Sequence, residues 1–387
     1  MAPSDKSTDL KSALLPAGLQ DVLYPQAHDD AKASQTIMDC LASFGYRRVQ
    51  PPLVEFEDSL LSDRLGAALS DKTFRLLDPL SHKMMALRAD MTAQIARISG
   101  TRLAHIARPL RLSYCGTVMR VVPDVLNPER QMVQAGAELI GASDASACAE
   151  MISLGVHALH KVGIDGLTID IGIPYLFDEL IASQNGSDDD EMRDALAEAI
   201  ALRDKDKLLA TNHPAAQSLA QLLDVSGQDS SALSQIQATM SGSPALLIAT
   251  ILEVEAMLHA IWPDLPITLD LLDRREGDYH QGLNFAIYGK GLRGEIARGG
   301  AYVTGFGEDA TGLSIYMERV LRALPATESS PRIYVCAEAG LQTALDLVNR
   351  GRDVVMGSVG ANADEEARSL GATYIVRTAV SMPEAVE

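Results

Sequence analysis

The spacing of hydrophobic positions changes several times along the chain, and each change marks a boundary. Over residues 25–44 apolar side chains recur at helical spacing (Ala33, Ile37, Leu41, Phe44), and Gly45 ends the run. Residues 46–49 then read as a strand running into Pro51 and Pro52, which cannot donate to a ladder. Residues 74–78 and 84–88 flank a turn at 79–82 and predict a hairpin. A helix begins over 92–98. Strands are expected over 110–122 and 132–140, with a polar loop between them, followed by an amphipathic helix at 145–162 and a strand at 167–173.

Between 175 and 262 the pattern changes character. Alanine, leucine and glutamate dominate and strand signals vanish, so this stretch reads as a helical insertion. Strands return at 267–272, 283–288 and 295–297, with Gly289-Lys-Gly291 as a turn between the last two. Residues 312–324 read as a helix and 327–331 as a linker. Residues 331–387 alternate strands (333–337, 354–359, 373–376) with helices near 340–349 and 363–370, a small α/β unit. Clustered strands interrupted by a helical block predict an α+β fold: an antiparallel sheet flanked by helices in residues 1–325, the insertion at about 175–262, and the small α/β domain at 331–387.

Composition narrows the class. The chain has 387 residues, 47% hydrophobic and 22% charged, as expected of a globular protein with two or three domains and a substantial core. A net charge of −19 weighs against a polyanionic partner. Cys40, Cys115, Cys148 and Cys336 are scattered with no CxxC pair, so neither a metal site nor a disulfide framework is expected. No basic start precedes an apolar run, and no stretch of about eighteen uninterrupted apolar residues occurs. A cytoplasmic protein without a membrane span is the expectation.

Six segments carry a recognisable order. Gly45-Tyr-Arg-Arg-Val-Gln-Pro-Pro52 is a strand ending in proline. Leu87-Arg-Ala-Asp-Met-Thr92 leads into a helix. Arg120 heads the loop after the 110–122 strand, and the return strand carries Gln134 and Glu138. Arg275-Glu-Gly-Asp-Tyr-His280, Arg298-Gly-Gly-Ala-Tyr302 and Gly312-Leu-Ser-Ile-Tyr-Met-Glu-Arg319 follow. In this order, over residues 14–325, they resemble the core of class II aminoacyl-tRNA synthetases of the histidyl type.

The resemblance directs a physical reading of the residues. A free amino acid needs an anion for its ammonium, a cation for its carboxylate and matched partners for its side chain. Asp90 and Thr92 suit the ammonium, and Arg275 with Gln134 suits the carboxylate. Glu138 with Tyr279 or His280 can bracket the two imidazole nitrogens of histidine. Gly299 and Gly300 allow close backbone approach, and Tyr302 closes the pocket. Taken singly, Arg88 and Asp90 read as a surface pair and Glu138 as a buried ion-pair partner.

The nucleotide side departs from the family. Arg120 and Arg319 are candidates for holding an anion or phosphate, or for ion pairs that preserve the fold. The glutamate that reads adenine in the family is Val122 here, which offers the base no hydrogen bond, and an unpaired buried polar edge costs about 1–3 kcal/mol. The loop 123–130 has a single arginine, with Pro128 at the place of another. Residues 331–387 resemble the start of the family's anticodon-binding domain at about half its length. That stretch holds five Arg and no Lys against eight Asp plus Glu, a poor surface for RNA. Its aromatics, Tyr334 and Tyr374, sit in apolar strands and read as core. Glu308-Asp-Ala-Thr-Gly312 superficially matches a phosphoribosyl-diphosphate loop, but the residues before it make a poor strand.

A chain that keeps the histidine pocket and loses the rest resembles the regulatory subunits of ATP phosphoribosyltransferase, paralogues of histidyl-tRNA synthetase. That resemblance implies a subunit with no catalysis and no cofactor or metal of its own. It implies a short-form catalytic subunit as partner, a homodimer within a hetero-octamer, histidine as ligand and no tRNA. An active histidyl-tRNA synthetase and a free-standing histidine sensor are the alternatives.

Overall fold

Period-two alternation builds one large sheet. The computed structural model describes residues 14–61, 64–123, 128–183, 190–226, 230–272, 282–325 and 331–386. They fall into two compact units, one up to Pro325 and one beyond it. The first holds an eight-stranded sheet. Its order is Arg47–Arg48, Leu110–Met119, Gln131–Ile140, Asp309–Tyr316, Ala297–Val303, Asn284–Gly289, Leu167–Gly172 and Ile267–Leu269. Neighbours run antiparallel except at the two edges, where Arg47–Arg48 and Ile267–Leu269 pair in parallel. The α+β class expected from the pattern is the class observed.

Side chains alternate across this sheet, and the two faces differ. Ala135, Ala137, Leu139, Leu313, Ile315, Ile287 and Ile169 point to one side, into the core that the Ala145–Lys161 helix covers. Asp144 starts that helix by accepting the Ala147 N–H at 2.9 Å and the Ser146 hydroxyl at 2.7 Å. The same contacts hold the Asp144 carboxyl below the usual range. Tyr114, Met132, Tyr302, Ala310 and Tyr316 face the other way, toward the Thr92–Gly100 helix and Met91. A three-stranded sheet, ordered Val54–Phe56, Met84–Leu87, Arg75–Leu77, contains the expected hairpin.

One expected element needs correction. Residues 312–316 form a strand, and helix begins only at Met317–Ala323. This strand is central and buried on both faces, and it runs into the Met317–Ala323 helix with no glycine or proline between them to mark the junction. The acidic stretch before it belongs to the turn between the Ala297–Val303 and Asp309–Tyr316 strands, with Glu308 gripped by Arg108 at 2.7 Å. That turn joins two antiparallel strands and opens no helix, in keeping with the phosphoribosyl-diphosphate match being superficial. The other expected strands hold with shifted ends, most clearly 295–297, which is Ala297–Val303.

Helices fill the stretch from 175 to 262: Leu176–Ser183, Asp190–Ala201, Lys205–Ala210, Ala216–Val225, Leu233–Ala238 and Ser243–Ile261. The last is long and apolar enough by composition to cross a membrane. It carries Glu253 and Glu255, however, and buries Ile248, Ile251, Val254 and Leu258 against the protein core. The second unit has a sheet ordered Asp353–Met356, Arg332–Val335, Tyr374–Val376 and Glu384–Ala385, with the first three strands parallel. Tyr334 is core, as expected. Tyr374 is not: it is 38% exposed at the start of its short strand, whose next two residues, Ile375 and Val376, are buried.

Candidate functional site

The site lies on the sheet face away from the Ala145–Lys161 helix. Register brings its members together. Gly116, Tyr114 and Leu112 stand opposite Gln134, Gly136 and Glu138, which stand opposite Tyr316, Ser314 and Gly312. Period two therefore places Gln134, Glu138, Tyr114 and Ser314 on one surface. Tyr302 joins them from the next strand, where Gly300 pairs with Gly312.

Glu138 is 1% exposed. The Tyr302 hydroxyl donates to its Oε2 at 2.8 Å and the Tyr114 hydroxyl to its Oε1 at 3.2 Å. Burial lifts the Glu138 carboxyl to about 8, with the Tyr302 hydrogen bond pulling the other way and the nearby Asp90 charge adding to the rise. The partners seen here are hydroxyls, so the plain reading of Glu138 as half of an ion pair finds no support among the described residues. Glycine leaves space for the carboxylate: a Cβ on Gly312 would lie 2.2 Å from Glu138 Oε2.

A second arm runs through Gln134. Its Nε2 donates to Asp90 Oδ2 at 2.9 Å and to Ser314 Oγ at 2.7 Å, while its Oε1 accepts the Met91 N–H at 3.0 Å. Asp90 also accepts the Thr92 N–H at 2.7 Å, where the Thr92–Gly100 helix begins. Ser314 Oγ and the Tyr114 hydroxyl share a hydrogen bond at 3.1 Å, which connects the two arms. Arg88, read as a surface partner of Asp90, is instead 6% exposed. It donates to the carbonyls of Thr117 at 2.6 Å and Pro51 at 3.0 Å, locking the strand before the pocket.

Five of the eight residues assigned to the amino acid thus converge: Asp90, Thr92, Gln134, Glu138 and Tyr302. Arg275, Tyr279 and His280 lie outside the described residues. Tyr114 and Ser314 were not singled out from sequence. Their signal was available in the alternation, since each is an even number of residues from Gly116 or Gly312 on a strand that pairs with Gln134 and Glu138.

The nucleotide side has a different character. Val122 is 58% exposed. Arg120 Nε reaches the Ala89 carbonyl at 3.4 Å, and its backbone closes the loop against Arg130. Arg319 is 7% exposed, pairs with Glu295 at 3.2 Å and lies with its guanidinium carbon 4.9 Å from the Tyr316 ring centre. Among the described residues, no three His, Cys, Asp or Glu side chains gather as a metal site would require.

The family model for histidyl-tRNA synthetase matches residues 18–320. An ATP phosphoribosyltransferase regulatory subunit from Paramagnetospirillum magneticum is 42% identical over 328 residues, 84% of this chain and 85% of its own. One from Rhodospirillum centenum is 39% identical over 94% of both chains. Among solved structures, an ATP phosphoribosyltransferase regulatory subunit/histidyl-tRNA synthetase from Bacillus halodurans superposes with a TM-score of 0.79 at 22% identity, covering 98% of this chain and 100% of that one. Histidyl-tRNA synthetase from Nostoc gives 0.75 at 18% identity, covering 94% and 90%. The chain belongs to the histidyl-tRNA synthetase family, on its branch of ATP phosphoribosyltransferase regulatory subunits.

Proposed function

We propose that this protein is the non-catalytic regulatory subunit of ATP phosphoribosyltransferase, serving the first step of histidine biosynthesis in the cytoplasm. It activates a short-form catalytic subunit, which supplies all the phosphoribosyl chemistry, and passes histidine feedback to it. Copies of this chain pair as a homodimer within the hetero-oligomer. The observation that carries the reading is the buried array Asp90–Gln134–Ser314–Tyr114–Glu138 beside a nucleotide side whose adenine-reading position is Val122.

Histidine fits that array by charge and by donor type. Asp90 and Thr92 take the ammonium, Arg275 and Gln134 the carboxylate. Glu138, with Tyr279 or His280, takes the imidazole, and Tyr302 closes over it. Feedback is then linkage: histidine binds the inhibited state of the complex more tightly than the active state. The acidic unit from residue 331 onward serves as an anticodon-domain remnant with no tRNA role.

The test is co-purification with a short-form ATP phosphoribosyltransferase and assay of the pair with and without histidine. Activation by this chain and inhibition by histidine are expected; a partner indifferent to the chain rejects the reading. The match to the histidyl-tRNA synthetase model favours one rival, an active synthetase. Histidine-dependent ATP–pyrophosphate exchange by the isolated chain would establish that rival instead.

A further inference from the structure

A buried tyrosine ring of the site lies under one arginine, with a second arginine on the same sheet face. Tyr316 is 6% exposed and packs with Tyr114, Tyr302, Met91 and Met132. It stands opposite Gln134 in register, at the end of the strand that carries Gly312 and Ser314. The Arg319 guanidinium carbon lies 4.9 Å from its ring centre, a cation–π contact in a dry setting. Arg298 shares the face, because it pairs with Ser314 one step along the same strand. Burial raises the Tyr316 hydroxyl; the charges of Arg298 and Arg120 pull against that rise, and those of Asp90 and Glu295 add to it.

A flat ring beneath one guanidinium, with Arg298 on the same sheet face and the Arg120 charge acting on it, offers what a nucleotide requires: a stacking partner for the base and cations for the phosphates. Here a side chain of the protein takes the ring's place. We propose that Tyr316 is an internal stopper, filling the base-sized space among Arg120, Arg298 and Arg319 and confining the site to a ligand of amino-acid length. Nucleotide is excluded by occupancy, beyond the loss of any single contact such as that at Val122. Removing the ring opens a cavity already rimmed with cations, suited to an adenine nucleotide. The inference rests on reading the neighbouring Asp90–Glu138 array as the amino-acid pocket.

The test uses the full chain as wild type, Tyr316→Ala and Tyr316→Phe, titrated with ATP and magnesium by calorimetry. The alanine variant is expected to bind ATP at least about tenfold more tightly than the other two. Phenylalanine keeps the ring and is expected to behave as wild type. Circular dichroism checks folding, and Tyr316→Val carries the same comparison should the alanine variant not fold. Equal ATP affinity in wild type and a folded truncated variant overturns the stopper, as does equal gain in the phenylalanine variant. A separate titration of the wild type with histidine reports on the pocket. Failure there rejects the pocket and leaves the ATP comparison to decide the role of Tyr316.

Discussion

The Tyr302 hydroxyl reaches Glu138 Oε2 at 2.8 Å across an intervening strand. The strand between them passes beneath the bond at Gly312, which pairs with Glu138 on one side and Gly300 on the other. A methyl group at Gly312 would sit 2.2 Å from the carboxylate. Gly312→Ala should therefore push Glu138 off its tyrosine partners and destabilise the fold by about 1–3 kcal/mol, the usual range for overpacking. Histidine affinity should fall with it. Urea unfolding and calorimetric titration measure the two effects, and a variant matching wild type in both would show that the bond tolerates displacement.

Glu138 also predicts a pH dependence. Its carboxyl is lifted from 4.5 to about 8 in the fold. The folded state thus holds the proton more tightly than the unfolded chain. The associated stability is fully present below about pH 4.5 and is lost as pH rises through about 8. Glu138→Gln has no such titration. Relative to wild type it should gain stability between about pH 5 and 9, by something on the order of 2–4 kcal/mol at about 1.4 kcal/mol per pKa unit. Urea midpoints taken across that range should converge or cross. Parallel curves would mean that Glu138 is ionised in the fold at neutral pH.

How far the site was legible depends on which side chains announce themselves. Asp90, Gln134 and Glu138 are polar residues in apolar surroundings, and order along the chain related them. The Asp309–Tyr316 strand did not read as a strand, because it passes into the Met317–Ala323 helix without a turn residue and the apolar positions of the two merge into one segment. That misreading hid Ser314 and Tyr316, which matter only once 312–316 is extended and alternates. Arg88 was misread for a related reason. Its partners are backbone carbonyls of Pro51 and Thr117, which no residue pattern reveals.

Arg88 yields a stability prediction that separates charge from shape. It is buried, and burial depresses its pKa, with the Glu55 charge opposing that. Its guanidinium donates in two directions at once, to Thr117 in the Leu110–Met119 strand and to Pro51 in the segment that precedes Val54–Phe56. Lysine keeps the charge but offers a point donor in place of a planar fork. Arg88→Lys should therefore destabilise by about 1–3 kcal/mol, since at least one buried carbonyl loses its partner. Thermal unfolding of the variant tests this, and a melting temperature equal to wild type would show that charge alone suffices.

The two arms of the pocket should act as one unit, for a reason that lies in the hydroxyl protons. Glu138 accepts from Tyr114, so the Tyr114 proton is committed to it and the tyrosine oxygen must accept from Ser314. Ser314 then accepts from the Gln134 amide, whose other N–H goes to Asp90. From Gln134 to Glu138 every donor points the same way, while the other amide N–H points back to Asp90, so the one amide links the two ends and each bond polarises the next. Above about pH 8, where Glu138 is ionised, changing the charge at either end should therefore be felt at the other. Asp90→Asn and Glu138→Gln are expected to be non-additive in histidine affinity, with a coupling of about 0.5–3 kcal/mol. Ser314→Ala breaks the chain at its middle while leaving both carboxylates in place. In that background the same two substitutions should become additive to within about 0.5 kcal/mol. Calorimetric titration across the eight-member cycle gives the answer. Coupling that persists without the Ser314 hydroxyl would assign the communication to direct repulsion between the two carboxylates, and coupling absent from the wild type would mean that the arms bind independently.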